Sequence, residues 1–144
     1  MELHKLDDDL TVAPQISVDD VAKAAQAGFR TLVSNRPDRE SEDQPATEAI
    51  AEAAREHGME WIHLPVQSGN VTERDAQTFT PILRDAPKPI LAFCRSGTRC
   101  ATLWALSRVR KDNIDQLLQT ARFEGYDLSP HRERMMELSN QTHD

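Results

Sequence analysis

Cys94-Arg95-Ser96-Gly97-Thr98-Arg99 is the stretch of this 144-residue chain whose residue types could do covalent chemistry. It follows the apolar run Pro89-Ile90-Leu91-Ala92-Phe93 and leads into a helical pattern from Thr98 to about Arg110. A cysteine at a strand end, a glycine in a tight turn and two arginines at a helix start make an anion-binding nucleophile site. The helix N-terminus offers free backbone N–H groups and the positive end of its dipole, which stabilise a thiolate and the anion it attacks. Gly97 permits the dihedrals of a cradle whose N–H groups turn inward. Ser96 and Thr98 can donate from their hydroxyls, and Arg99 can fork two oxygens. Cys94 and Arg99 are therefore the candidate catalytic residues. Arg95, Ser96, Gly97 and Thr98 are candidate substrate-binding residues.

Each candidate has a plainer reading. A free cysteine can simply fill a core, and that suits Cys100, which lies inside a helical pattern among apolar neighbours. It suits Cys94 less, because Arg, Ser, Gly and Thr follow at once. An arginine in a first helical turn can also be a solvated surface residue. Arg36 and Asp38 are further pocket candidates, although such a pair around Pro37 can equally make its own salt bridge or Asx turn. Ser34 and Asn35 could reach a ligand or cap the following turn. His63, in an apolar run, reads as a core histidine rather than a base, and Trp61 and Trp104 read as core. With a helix starting near Thr98, Cys94 and Cys100 are expected to be too far apart for a disulfide without partial unwinding.

The elements that must position these residues alternate. Strand patterns fall within Leu3–Ile16 and at Phe29–Val33, Glu60–Val66 and Ile90–Phe93. Helical patterns fall at Val18–Ala27, Ala46–His57, Thr72–Arg84, Thr98–Arg110, Asp115–Phe123 and Pro130–Ser139. Ser17 and Thr72 head two of the helices, with acids in the first turn. This order predicts an α/β fold in three layers, a mostly parallel central sheet flanked by helices. Ligands then bind beyond the carboxyl ends of the strands, where Ser34–Asp38, Gln67–Asn70 and Cys94–Arg99 converge.

Length and composition fit one domain spanning 1–144. The net charge of −7 argues against nucleic-acid binding. The charge is uneven: Arg84 to Lys111 carries seven Lys/Arg against Asp85 alone, a local positive field expected to steer a small anion. No apolar run approaches the ~20 residues of a membrane span. With no signal-peptide pattern and only two cysteines, a cytoplasmic location is expected. No metal-ligand spacing is visible, and no cofactor is implied.

The Cys94–Arg99 segment resembles the rhodanese-type sulfurtransferase loop, C-R-x-G-x-[R/T], at every fixed position. It also resembles the C-x5-R loop of protein tyrosine and dual-specificity phosphatases, but four residues rather than five separate Cys94 from Arg99, and Phe93 stands where a histidine is usual. Ser34-Asn35-Arg36-Pro37-Asp38, with Gln44-Pro45, is similar to the N-R-P-D segment of the beta-lactamase-hydrolase-like (DUF442) family. The order of elements from Asp9 to Ser139 fits that family too. The resemblance implies a protein tyrosine/dual-specificity phosphatase-like fold and sulfur transfer. In that reading a small anionic sulfur donor such as thiosulfate or a persulfide loads Cys94, and a thiol, cyanide or sulfite unloads it. A persulfide dioxygenase, often fused in this family, would be a separate partner. The smaller cradle suits a terminal sulfur, and Gln67-Ser68-Gly69-Asn70 holds no acid for a phosphate leaving group. A cysteine-dependent phosphatase is the alternative, and a non-enzymatic redox or anion-sensing module is the third reading.

Overall fold

The computed structural model describes residues 1–141. The chain runs β1 (His4–Lys5), β2 (Leu10–Ala13), α1 (Val18–Gln26), β3 (Thr31–Ser34), α2 (Thr47–Glu56), β4 (Glu60–His63), α3 (Glu73–Asp85), β5 (Ile90–Phe93), α4 (Thr98–Arg108), α5 (Ile114–Phe123) and α6 (Arg132–Ser139), with a 3-10 turn at Ser129–His131 before α6. The sheet order is β1-β2-β5-β3-β4. Only the short β1 pairs antiparallel; β2, β5, β3 and β4 are parallel. The strand that leads into Cys94 is therefore central.

Its sequence shows why. All four residues of β5 are buried, as in β2 and β3, because helices cover both sheet faces. Alternation sorts the side chains. Leu91 and Phe93 face α1 and α2, packing with Val21, Ala24, Ile50 and Ala54. Ile90, Ala92 and Cys94 face the other layer, with Phe79 of α3, Leu103 of α4, Leu117 of α5 and Met135 of α6. Each large apolar side chain buried here contributes about 2 kcal/mol. No described helix is long and apolar enough to cross a membrane.

The helix starts are capped in different ways. Ser17 Oγ accepts from the Asp20 N–H while the Asp20 carboxylate accepts from the Ser17 N–H, a full capping box on α1. Thr72 and Asp75 repeat it on α3. Gly97, at the head of α4, offers no side chain, and no acid follows in the first turn.

Two expectations need correction. The β4 strand stops at His63 instead of running to Val66, because Pro65 has no N–H and the chain turns off. The Leu64 and Val66 N–H groups then bond the Ser34 and Asn35 carbonyls, both at 2.9 Å. Since β4 is an edge strand, Trp61 is only partly buried and His63 is exposed rather than a core residue.

Candidate active site

Parallel pairing brings the carboxyl ends of β2, β3, β4 and β5 to one edge of the sheet, and Cys94 follows the central strand there. Its side chain is fully buried and turned toward α4. The Gly97 N–H donates to Cys94 Sγ at 3.0 Å. The Arg99 and Cys100 backbone N–H groups also stabilise the charged sulfur. Gly97 is the N-cap of α4, so Arg99 and Cys100 stand at N2 and N3. Those are the donors that an N-cap oxygen ordinarily takes. The Cys94 sulfur thus lies at the start of α4, where a capping side chain is missing, and accepts from the Gly97 N–H.

The thiol is correspondingly acidic, held down from 9.0 to about 5. The Cys100 thiol acting on the sulfur is the largest cause; burial opposes it, and the Cys100 N–H and the Arg99 charge add to the lowering. Cys100 itself, wholly buried, is pushed well above its ordinary value by desolvation and then by Cys94. The sequence placed Cys100 correctly as a buried helical residue, but its thiol serves the nucleophile. Both cysteines are free.

The loop is held rigid from behind. Tyr126 Oη donates to the Ser96 carbonyl at 3.1 Å, and the Gln15 N–H bonds the Arg95 carbonyl at 3.2 Å. Ser96 Oγ lies 3.0 Å from Thr98 Oγ1 and accepts from the Thr98 N–H at 3.3 Å. Gly97 has φ +94°, and a Cβ there would sit 2.2 Å from Tyr126 Oη. Glycine is required twice over, by the left-handed backbone and by the phenol packed against it.

Arg99 is buried and already paired. Its Nη1 and Nη2 donate to the two Glu40 oxygens at 2.8 Å each, and Nη1 also donates to the Val66 carbonyl at 3.0 Å. Glu40 further accepts from Arg36 Nε at 2.9 Å. Arg36 completes its fork on Gln15 Oε1 and Ser41 Oγ, both at 3.0 Å. Two guanidinium groups hold the Glu40 carboxyl at about 2, with the Arg99 hydrogen bonds as the main cause. Arg36 therefore orients Glu40, and through it Arg99; it does not line the cavity beside Cys94. Asp38 lines a separate cavity of about 590 Å³ with Glu40 and Ser41. Its carboxylate accepts the Thr47 N–H at 3.2 Å and starts α2. Ser34 and Asn35 tie loops together: Ser34 Oγ meets the Arg36 backbone, and Asn35 Nδ2 bonds the Leu64 carbonyl at 2.9 Å. His63 Nε2 lies 3.0 Å from the Arg36 carbonyl.

A cavity against the outer side of the Cys94–Arg99 loop has a volume of about 470 Å³ and is lined by Ser68, Gly69, Arg95, Ser96, Thr98 and Arg99. The positive field expected from the sequence is smaller than its charge count. Glu40 compensates Arg99, Asp7 and Asp9 compensate Arg108, and Asp85 pairs with Arg84. Arg95 is exposed and makes no ion pair among the described residues. Glu40 and Tyr126 are the participants that sequence reasoning missed. They lie 59 and 30 residues from their partners, in a polar loop and a helix-connecting segment with no motif of their own.

The arrangement has counterparts among known proteins. The family described as "Beta-lactamase hydrolase-like protein, phosphatase-like domain" matches residues 2–111. The Beta-lactamase hydrolase-like protein of Xylella fastidiosa (strain Temecula1) is 31% identical over 133 residues, 89% of this chain. The chain spans only 30% of that relative's length. A crystal structure from Neisseria meningitidis, described as a proposed phosphatase, superposes with a TM-score of 0.85 at 35% identity, covering 96% of this chain and 99% of that one. Tk-PTP in its active form superposes with a TM-score of 0.72 at 15% identity, over 97% of each chain, and so shares the fold. The fold is thus that of the protein tyrosine and dual-specificity phosphatases. With the family matched over most of its length, the chain belongs to the beta-lactamase-hydrolase-like (DUF442) family, in that family's phosphatase-like domain.

Proposed function

We propose that the chain is a cysteine-dependent phosphatase acting on small phosphate monoesters. The observation that carries this reading is the Cys94 sulfur at the bare N-terminus of α4, accepting from the Gly97 N–H at 3.0 Å, with its thiol held down to about 5. The Cys94 thiolate attacks phosphorus, a P–S bond forms and the P–O bond to the leaving group breaks. Water then attacks the thiophosphoryl group, which releases phosphate and regenerates the thiolate. Loop N–H groups and Arg99 stabilise the equatorial oxygens, and Glu40 holds the Arg99 fork in place. The similarity to the Neisseria meningitidis protein supports phosphoryl chemistry over the sulfur transfer expected from the loop motif.

One observation favours sulfur transfer as a second reading. The cavity lining contains no carboxylic acid, and a thiosulfate or persulfide donor needs none because sulfite or a thiolate leaves readily. Two half-reactions separate these readings. Para-nitrophenyl phosphate should release phosphate and, on rapid quench, leave one phosphoryl group on the peptide bearing Cys94. Thiosulfate or glutathione persulfide should leave that peptide unchanged. A reversible gain of one sulfur atom, without phosphate turnover, would overturn the phosphatase assignment.

A further inference from the structure

A phosphatase, the reading on which this inference rests, needs a means of expelling the leaving oxygen. In an in-line displacement that oxygen departs on the side of phosphorus away from the Cys94 sulfur, toward the cavity rim. The rim offers Ser68, Gly69, Arg95, Ser96 and Thr98. Hydroxyl and guanidinium groups hold their protons too tightly to act as acids at neutral pH. No carboxylate lines this cavity, and several acids of the surrounding loops are bonded elsewhere. Glu40 is clamped by Arg99 and Arg36, Asp38 bonds the Thr47 N–H, Asp43 accepts from Ser41 Oγ at 2.6 Å and Asp75 belongs to the α3 capping box. His63 is turned to the Arg36 carbonyl. The Cys100 thiol and the Tyr126 hydroxyl sit behind the loop, on the wrong side of phosphorus. Among the residues that line the cavity, none can donate a proton at neutral pH.

Arg95 is on the departure side. It lines the rim, is exposed and makes no direct ion pair among the described residues, Asp43 acting on it only at longer range, whereas Arg99 is bonded directly by Glu40. A fixed cation stabilises a departing anion without transferring a proton. We infer that this site takes phosphates whose leaving group departs as a stable anion, a phosphoanhydride or an aryl or acyl phosphate in preference to an alkyl ester, and that Arg95 is its leaving-group residue. The leaving oxygen takes the electron pair of the P–O bond and is protonated later by water.

The test is a leaving-group series on the reduced wild-type protein: an inorganic polyphosphate, para-nitrophenyl phosphate, phenyl phosphate and glycerol phosphate. Without an acid, kcat/KM should fall by about 100-fold or more from the nitrophenyl to the phenyl ester, since an acid is worth about 10²–10⁴-fold to a poor leaving group. Arg95→Gln should lower kcat for the polyphosphate, whose leaving group is multiply charged, more than for the nitrophenyl ester. Ser68→Asp, which places a carboxyl on the rim, should flatten the series. Turnover of phenyl and nitrophenyl phosphates at similar rates, or an equal loss for both classes in Arg95→Gln, would overturn the inference while leaving the phosphatase reading intact. Turnover of none of the four, with no phosphoryl group on Cys94, would overturn both. Preferential turnover of the polyphosphate over the aryl esters would narrow the class to anhydrides.

Discussion

The N-termini of α3 and α4 lie in neighbouring packed helices and are built in opposite ways. In α3 the orphan N–H groups close on Thr72 and the first turn carries Glu73 and Asp75, so the positive end of the dipole is spent within the helix. In α4 the cap is Gly97, the first turn carries Arg99 and no acid, and the donors turn to the Cys94 sulfur. One helix start is closed for stability, and the other is left open with a nucleophile as its stopper. The difference lies in a few side chains, so it can be broken at each of them.

The largest effect is expected from the stopper. Cys94→Ser should lower phosphate turnover by at least about 10⁴-fold, as loss of a nucleophile does elsewhere. Its hydroxyl can still accept the α4 N–H groups, so stability should hold. Cys94→Ala should be equally inactive and less stable by about 1 kcal/mol, the usual cost of removing a cap. Equal unfolding midpoints for the two variants would refute the capping role of the sulfur. Next comes Gly97→Ala, which meets both the left-handed backbone and Tyr126. It should cost about 2–3 kcal/mol and most of the activity, read by denaturant unfolding and phosphate release.

Making α4 resemble α3 tests the comparison from the other direction. Thr98→Asp puts a carboxylate in the first turn at the cavity rim, where it opposes both the thiolate and the incoming anion. KM for a phosphate monoester should rise on the order of tenfold, less at high salt. The rate should gain its thiolate-dependent increase at a higher pH than in the parent protein. Cys100→Ala acts on the same titration more gently. In the parent protein, kcat/KM should rise as pH passes about 5, where Cys94 ionises. Removing the Cys100 thiol deletes the largest cause of that low value, so the rise should move toward the ordinary thiol range. An unmoved profile would mean that the backbone N–H groups and Arg99 suffice.

The fold was largely legible in the sequence because its signals are local. The apolar run Ile90–Phe93 announces a strand covered on both faces, and the spacings Ser17 to Asp20 and Thr72 to Asp75 announce helix starts. The cradle was legible for the same reason, since Cys94 to Arg99 is contiguous. The state of Arg99 was not. Its partner Glu40 comes from a polar loop that has no periodicity, and its approach depends on how the loop after β3 folds over the sheet edge. Arg36 and Asp38 looked like pocket residues because they are charged and near a strand end. Only tertiary structure shows Arg36 propping Glu40, and Asp38 bonding the Thr47 N–H while lining a separate cavity beside Glu40. The choice of sulfur over phosphorus rested on loop length, a missing acid and a family resemblance, whereas the likeness to a solved structure described as a proposed phosphatase backs phosphorus better.

The smallest effect completes the contrast. Thr72→Ala removes the α3 cap oxygen and one half of its capping box. The expected cost is about 1 kcal/mol, a shift in Tm of about 3 °C for a chain of this size. The Cys94 titration should be untouched, because the Thr72 hydroxyl serves α3 and does not line the cavity. The same kind of deletion, one N-cap acceptor lost, thus has two readouts. At α3 it should register in unfolding alone; at α4, through Cys94, in unfolding and chemistry together. If Thr72→Ala also displaced the pH profile, the packing of α3 on α4 would be transmitting strain into the cradle. The two helix starts would then form one coupled unit instead of a closed end beside an open one.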